Sequence, residues 1–251
     1  RSDSAVNWRA GALFYATRRL DLRAAAYTGL RLPTLNELYR PFVVFPVTTQ
    51  ANAGLVNERL EGFEVGLDWQ PVNAVVLSVT AFDNEVENAI ANVTVGPNLR
   101  RRANLPAIEA RGIEASVAAK FGTVSLDGSL AWTDAEVRGE GASAALDGNR
   151  PAQTPEFAAT LTLGWRPAAG WQVAGTLRHV AAQFEDDLES DVLPAATTID
   201  AFLSAPLGRT GLSLVLRAEN LTDEAIVTRN QGGSIDLGVP RTLWAGVRYG
   251  F

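Results

Sequence analysis

Apolar and polar residues alternate with period two along much of this chain, the spacing of side chains on a strand covered on one face. In EGFEVGLDWQ, Phe63, Val65, Leu67 and Trp69 fall on one face, and Glu64, Gly66, Asp68 and Gln70 on the other. TVSLDGSLAWTD sorts Val124, Leu126, Leu130 and Trp132 against Ser125, Asp127, Ser129 and Thr133, and EFAATLTLGWRP sorts Phe157, Leu161, Leu163 and Trp165 against Thr160, Thr162 and Arg166. GLSLVLRAEN and the closing TLWAGVRYGF repeat the split. Looser runs at about 5–17, 21–29, 74–84, 108–121, 171–184 and 196–205 bring the expectation to about eleven strands. Several reach the roughly 9–11 residues that a tilted strand needs to cross a bilayer.

The connections alternate in length. RRLD, PVNA, Gly122, PAAG and LGRTG are short; residues 30–57, 85–107, 138–155, 185–195 and 221–238 form long ones between them. A water-soluble sandwich has no reason to gather its long loops at one end, whereas an outer-membrane barrel has short periplasmic turns and long extracellular loops. Trp69, Phe121, Trp165, Trp171 and Tyr249 stand on the apolar face beside the short turns, where an interfacial girdle belongs. The expected fold is all-β: an antiparallel up-and-down transmembrane barrel wall, present here as a curved open or incompletely closed sheet.

Composition narrows the function classes. Hydrophobic residues make up 47% of the 251 residues, yet the mean hydropathy is only +0.02, so apolar side chains are interleaved with polar ones. No window supplies the roughly 18 apolar residues of a spanning helix, and the FVVFPV cluster is interrupted by Pro46. There is no cysteine and one histidine, which argues against disulfides and thiolate or histidine metal sites. A net charge of -6 argues against nucleic acid as a partner. No cofactor, resident metal or catalytic group is expected.

Strand direction follows from the turns. With short turns periplasmic, the first and last strands both run inward and the C-terminus is periplasmic. The strand count is then odd, while bacterial single-chain barrels have even numbers and lipid tolerates no open edge. Residues 1–251 are therefore expected to be the C-terminal part of a larger barrel, closed by strands that precede them.

Several ordered motifs carry a family resemblance. GLRLPTLNELYRPF, Gly29 to Phe42, resembles the FRxPTLNELY stretch of TonB-dependent outer-membrane receptors, and NERLEGFEVG their NPxLKPE segment with its GxE strand. Gly112 to Glu114 repeats that Gly-apolar-Glu pattern, GNRPAQTPEFAATLTLGW resembles the RxPxxP approach to a descending strand, and NLTDEAIVTRNQGGSIDLGVPRTLWAGVRYGF resembles the family ending. The resemblance implies energised uptake of a scarce nutrient, such as a ferric siderophore or similar iron chelate, across the Gram-negative outer membrane. It also implies a plug domain inside the barrel, the TonB complex and the barrel assembly machinery as partners. A passive porin is the alternative.

Candidate ligand-binding residues lie in the long loops: Arg31, Asn36, Glu37, Tyr39 and Arg40 in the first, Arg100, Arg101 and Arg102 in the second, Asn230 and Gln231 in the last. The arginine run would attract an anionic ligand, or serve as a solvated loop or a contact to anionic lipid. Strand-end capping and packing against a plug is the competing reading for the first group. Tyr249 and Phe251 are expected to form the terminal aromatic assembly signal that the resemblance implies. His179, on the apolar face near the long-loop rim, has no evident nucleophile beside it. The acidic stretch EDDLESD, Glu185 to Asp191, lacks the spacing of a regular calcium loop.

Overall fold

A computed structural model describes residues 4–208, 211–231 and 233–250. Eleven strands form one sheet: β1 (Arg9–Thr17), β2 (Leu20–Arg31), β3 (Glu58–Val72), β4 (Val75–Glu87), β5 (Ala107–Phe121), β6 (Val124–Arg138), β7 (Phe157–Trp165), β8 (Gln172–Val180), β9 (Ala196–Pro206), β10 (Leu212–Glu219) and β11 (Thr242–Tyr249). Each strand pairs antiparallel with its neighbours in sequence, an up-and-down order without crossovers, and β1 and β11 are the two edges. The edges are not paired with each other among the described residues. The sheet is the open wall of a barrel, as the alternation predicts.

All five tight or short connections lie at one end of this wall and all five long ones at the other. Register carries the apolar stripe from strand to strand: Trp69 stands opposite Leu77, Leu77 opposite Val117, Gly128 opposite Val117 and Leu161, and Leu161 opposite Leu177. On the other face Arg23 reaches the Asp68 carboxylate at 3.2 Å and the Ser78 and Thr80 hydroxyls at 3.1 and 2.6 Å. Tyr27 bonds Asn84 at 3.1 Å, and Arg178 bonds Asp200 at 2.8 Å. Large side chains on this polar face need room. Tyr27 lies across Gly62 and Phe82 across Gly112, and a Cβ at either glycine would collide with the ring.

Strand lengths differ from the expectation in an informative way. The strands β3, β5 and β6 run for 15 residues and β4 for 13, beyond what a membrane crossing requires. The upper ends of these four strands carry charge on the same face as the apolar stripe, which the alternation of the central segments does not reveal. The expected run 171–184 is divided: β8 ends at Val180, and Gln183–Phe184 pairs instead with Val192–Leu193.

The long loops fold into a canopy with secondary structure of its own. Phe42–Val44, Val47–Gln50, Leu99–Asn104 and Ile90–Gly96 form a four-stranded sheet, and Val227–Gln231 pairs with Ser234–Leu237. The first loop opens with a short helix α1 (Leu35–Tyr39), and the third contains a 3-10 helix, Gly141–Leu146. The best-buried apolar cluster joins the canopy to the tops of the tall strands: Ala89, Val93, Leu105, Val137 and Leu146.

Candidate functional site

The first loop is fixed at its base by chemistry written into LRLPTLNELY. Thr34 caps α1 by accepting from the Glu37 amide at 3.2 Å, and the Glu37 carboxylate accepts from the Thr34 amide at 2.7 Å, a reciprocal capping box. Arg31 donates to that carboxylate at 3.2 Å and also binds Glu58. Glu58 in turn accepts from the Ile90 amide at 2.6 Å, tying the first loop to the second. Burial pushes the Glu37 carboxyl up, but the Thr34 amide, the Thr34 hydroxyl and the Arg31 guanidinium together hold it below its ordinary value.

The loops are then joined to one another. Val47–Gln50 runs parallel to Leu99–Asn104, pairing Thr49 with Arg100. The Asp187 carboxylate of the fourth loop accepts from the Thr94 amide and hydroxyl of the second at 2.7 and 2.6 Å. Asn149 donates to the Asp187 carbonyl at 2.9 Å, and the Arg150 amide to Glu189 at 2.7 Å. The last loop is tied in by Arg229 to the Phe45 carbonyl at 2.9 Å and Asn230 to the Val192 carbonyl at 3.0 Å.

Arginine chemistry gathers where the first, second and last loops meet. With its amide oriented to satisfy its surroundings, Gln231 presents its oxygen to both terminal nitrogens of Arg100, at 3.0 and 3.1 Å. Arg102 lies 5.2 Å from the Phe42 ring centroid, and its Nη1 is buried without a hydrogen-bond partner, as is Nε of Arg229. A cavity of ≈ 500 Å³ beside Arg100 is lined by Thr94, Asn98, Asp186 and Gln231. A neutral amide and a ring neutralise no charge, while the Asp186 and Asp191 carboxylates line the same cavity as Arg100, so its wall carries both signs.

The expected site residues therefore divide. Arg100, Arg102, Asn230 and Gln231 are carried into one region of the canopy, and Arg101 stands exposed beside them. Arg31 bridges the Glu37 and Glu58 carboxylates, the capping role that competes with ligand contact. Asn36, Tyr39 and Arg40 are exposed around α1. Charge and spacing in the sequence do not mark Phe42 or Arg229, and they show Asp187 only as one of an acidic stretch; a loop's own pattern does not reveal a partner in a distant loop. Tyr249 is exposed on the apolar stripe, and Phe251 lies outside the described residues.

The acidic stretch serves its own backbone. Asp186 accepts from the Ser190 hydroxyl at 2.7 Å and the Ser190 and Asp191 amides at 2.9 and 2.8 Å. Burial pushes its carboxyl up, but the bonds from Asp191, Ser190 and Leu188 outweigh this and hold it below the usual carboxylate value. Among the described residues no three histidine or carboxylate side chains converge to hold a metal. His179 Nδ1 bonds the Thr197 hydroxyl at 2.8 Å and its ring tilts against Phe157, a packed pair with no carboxylate to orient the imidazole.

Comparison with known proteins agrees with this architecture. The ferrioxamine receptor of Yersinia enterocolitica is 26% identical over 197 residues, 76% of this chain and 27% of that protein. The siderophore receptor PiuA of Acinetobacter baumannii superposes with a TM-score of 0.77 at 18% identity, covering 97% of this chain and 35% of the receptor. The ferric yersiniabactin uptake receptor FyuA of Yersinia pestis gives 0.75 at 17%, over 98% of this chain and 37% of the receptor. The chain thus spans about a quarter to just over a third of the length of these relatives. Residues 1–221 match the family model described as TonB dependent receptor-like, beta-barrel, so the chain belongs to the TonB-dependent receptor β-barrel family of the outer membrane.

Proposed function

We propose that this chain is the C-terminal part of the barrel wall and extracellular canopy of a receptor that takes up an iron chelate across the outer membrane. The observation that carries the reading is the loop junction: Arg100 and Gln231 brought together beside a cavity, with Arg102 two residues on stacked over Phe42 of the first loop, above a wall whose polar face lines a lumen. Relatives named for ferrioxamine, siderophores and ferric yersiniabactin support iron chelates as the cargo class.

The long-loop end is then extracellular and the C-terminus periplasmic, with Trp69, Phe121, Trp165, Trp171 and Tyr249 at the periplasmic lipid interface. Preceding strands would pair with β1 and β11 to close the barrel. Glu64 and Glu114 face the lumen beside Arg23 and Arg178, and neither carboxylate is in an ion pair among the described residues. Basic groups of a plug are their natural partners, and the TonB complex would move that plug. The terminal Tyr249 and Phe251 would be read by the barrel assembly machinery.

Growth tests this. A strain lacking the full-length receptor should regain growth on one or more iron chelates under iron limitation when the receptor is restored, and only with an intact TonB complex. Growth that is indifferent to TonB would favour a passive porin. Arg100→Ala/Arg102→Ala should weaken chelate binding to assembled receptor about tenfold or more, for the loss of charge-assisted contacts; unchanged affinity would remove the junction from the site.

A further inference from the structure

The cavity beside Arg100 is walled by four loops: Val47 in the first, part of 94–100 in the second, part of 186–191 in the fourth and Gln231 in the last. Its ≈ 500 Å³ falls within the roughly 300–1,000 Å³ of small-molecule sites. The charged groups on its wall are Arg100, Asp186 and Asp191, one guanidinium facing the same space as two carboxylates.

These charges do not cancel one another. Arg100 is held by the Gln231 oxygen and forms no ion pair among the described residues. Asp186 is spent on its own turn, whose donors keep it ionised. Asp191 differs. Its amide bonds Asp186 at 2.8 Å and its carbonyl accepts from the Glu185 amide at 2.8 Å, which fixes its backbone. Its half-buried carboxylate has no bonded partner among the described residues. A partly desolvated charge without a partner is costly, and a ligand that brings the opposite charge recovers that cost.

An organic cation suits Asp191 better than a bare metal ion. No three carboxylate or histidine side chains converge among the described residues, whereas hard cations need several oxygen ligands. Val47, Leu99 and Leu188 add apolar wall for a carbon chain that ends in a charged head. The chemistry of iron chelates then separates two classes. Three hydroxamates cancel the charge of a ferric ion and leave a neutral core, while three catecholates leave a trianion that the two carboxylates repel.

We propose that this cavity selects a ferric chelate with a neutral core and a protonated amine arm, with Asp191 binding the ammonium group and Arg100 donating to the oxygen shell of the core. The inference rests on the iron-chelate reading of the junction and adds the charge class of the cargo.

Folded full-length receptor would be titrated with three chelates loaded with radioactive iron: a linear trihydroxamate ending in a free amine, the same molecule with that amine acetylated, and a tricatecholate. Wild type should bind the free amine about tenfold more tightly than the acetylated form, the scale of one charge-assisted hydrogen bond, and the tricatecholate most weakly. Asp191→Asn should shrink the tenfold preference to about threefold or less, by weakening the amine chelate and not the acetylated one. Asp191→Glu, which keeps the charge, should retain most of the preference. The wild-type comparison decides the charge class even where a variant assembles poorly. Equal binding of amine and acetylated chelates, or tightest binding of the tricatecholate, would overturn the proposal while leaving iron-chelate uptake intact. A preference that survives Asp191→Asn unchanged would overturn it too, by placing the amine elsewhere. Binding of none of the three would sink the iron-chelate reading of the junction and the proposal with it.

Discussion

Leu163 in the wall and Leu105 in the canopy are the same side chain in opposite surroundings, 54% exposed and 2% exposed respectively. The contrast holds for their neighbours. Trp165, Phe121 and Tyr249 project from the wall, while Leu55, Val93, Val137 and Leu146 are enclosed at the canopy and strand tops. A wall strand hides its apolar residues by facing lipid and so needs no partner layer; the canopy stands in water and must build an interior. One chain thus follows two solvent rules, and the boundary between them runs across β3–β6, where the apolar stripe gives way to charge.

The largest effect should come from imposing the wrong rule on the wall. Leu161, at the centre of β7 between Gly128 and Leu177, faces the apolar side. Leu161→Arg should cost about 2–4 kcal/mol near the membrane midplane and sharply lower the yield of folded full-length barrel, read by heat-modifiable migration. Thr160→Arg, one residue away on the lumenal face, should assemble in good yield. Equal yields would dissolve the distinction between the faces.

Next comes the canopy interior. Leu105→Ala removes a side chain packed with Val93, Val137 and Leu146 and should cost about 2–4 kcal/mol of local stability. The measurement is limited proteolysis of the loops in assembled receptor, together with assembly yield. Cleavage in the second and third loops should accelerate while yield stays unchanged. A parallel loss of barrel yield would mean that canopy and wall fold as one cooperative unit and not under separate rules.

The same contrast governs what could be read from sequence. The wall was legible because alternation has period two and each strand reports its own face: Phe63, Val65, Leu67 and Trp69 needed no knowledge of β4. Even so, no single strand's alternation shows that Glu61, Glu85, Glu109 and Glu136 form a row, since that depends on the register of four strands. Canopy structure depends almost wholly on such alignment. The capping box of Thr34 and Glu37 is local and could be anticipated; the meeting of Arg100 with Gln231, or of Thr94 with Asp187, joins loops separated by several strands. Charge and loop position mark Arg100 and Gln231, which converge, as readily as Arg31 and Glu37, which hold the loop base.

The smallest effect concerns acid, and it should touch the canopy alone. Asp186 is held below the usual carboxylate value by the donors of its own turn, despite the burial that opposes its charge. A carboxyl whose folded value lies below its unfolded value of about 3.9 contributes stability above that unfolded value. The contribution disappears as pH falls through the folded value. Hydrogen exchange at the Ser190 and Asp191 amides, corrected for intrinsic rates, should therefore show steady protection from neutral pH to about pH 5 and progressive loss below about pH 4. Wall amides at the centres of β5 and β6, bonded strand to strand, should keep their protection throughout. Asp186→Asn should already weaken turn protection at neutral pH and flatten its dependence on acid; if the variant loses protection over the same pH range as wild type, another carboxylate ties the fourth loop, and Asp187, which holds Thr94 across the loop boundary, becomes the next to replace.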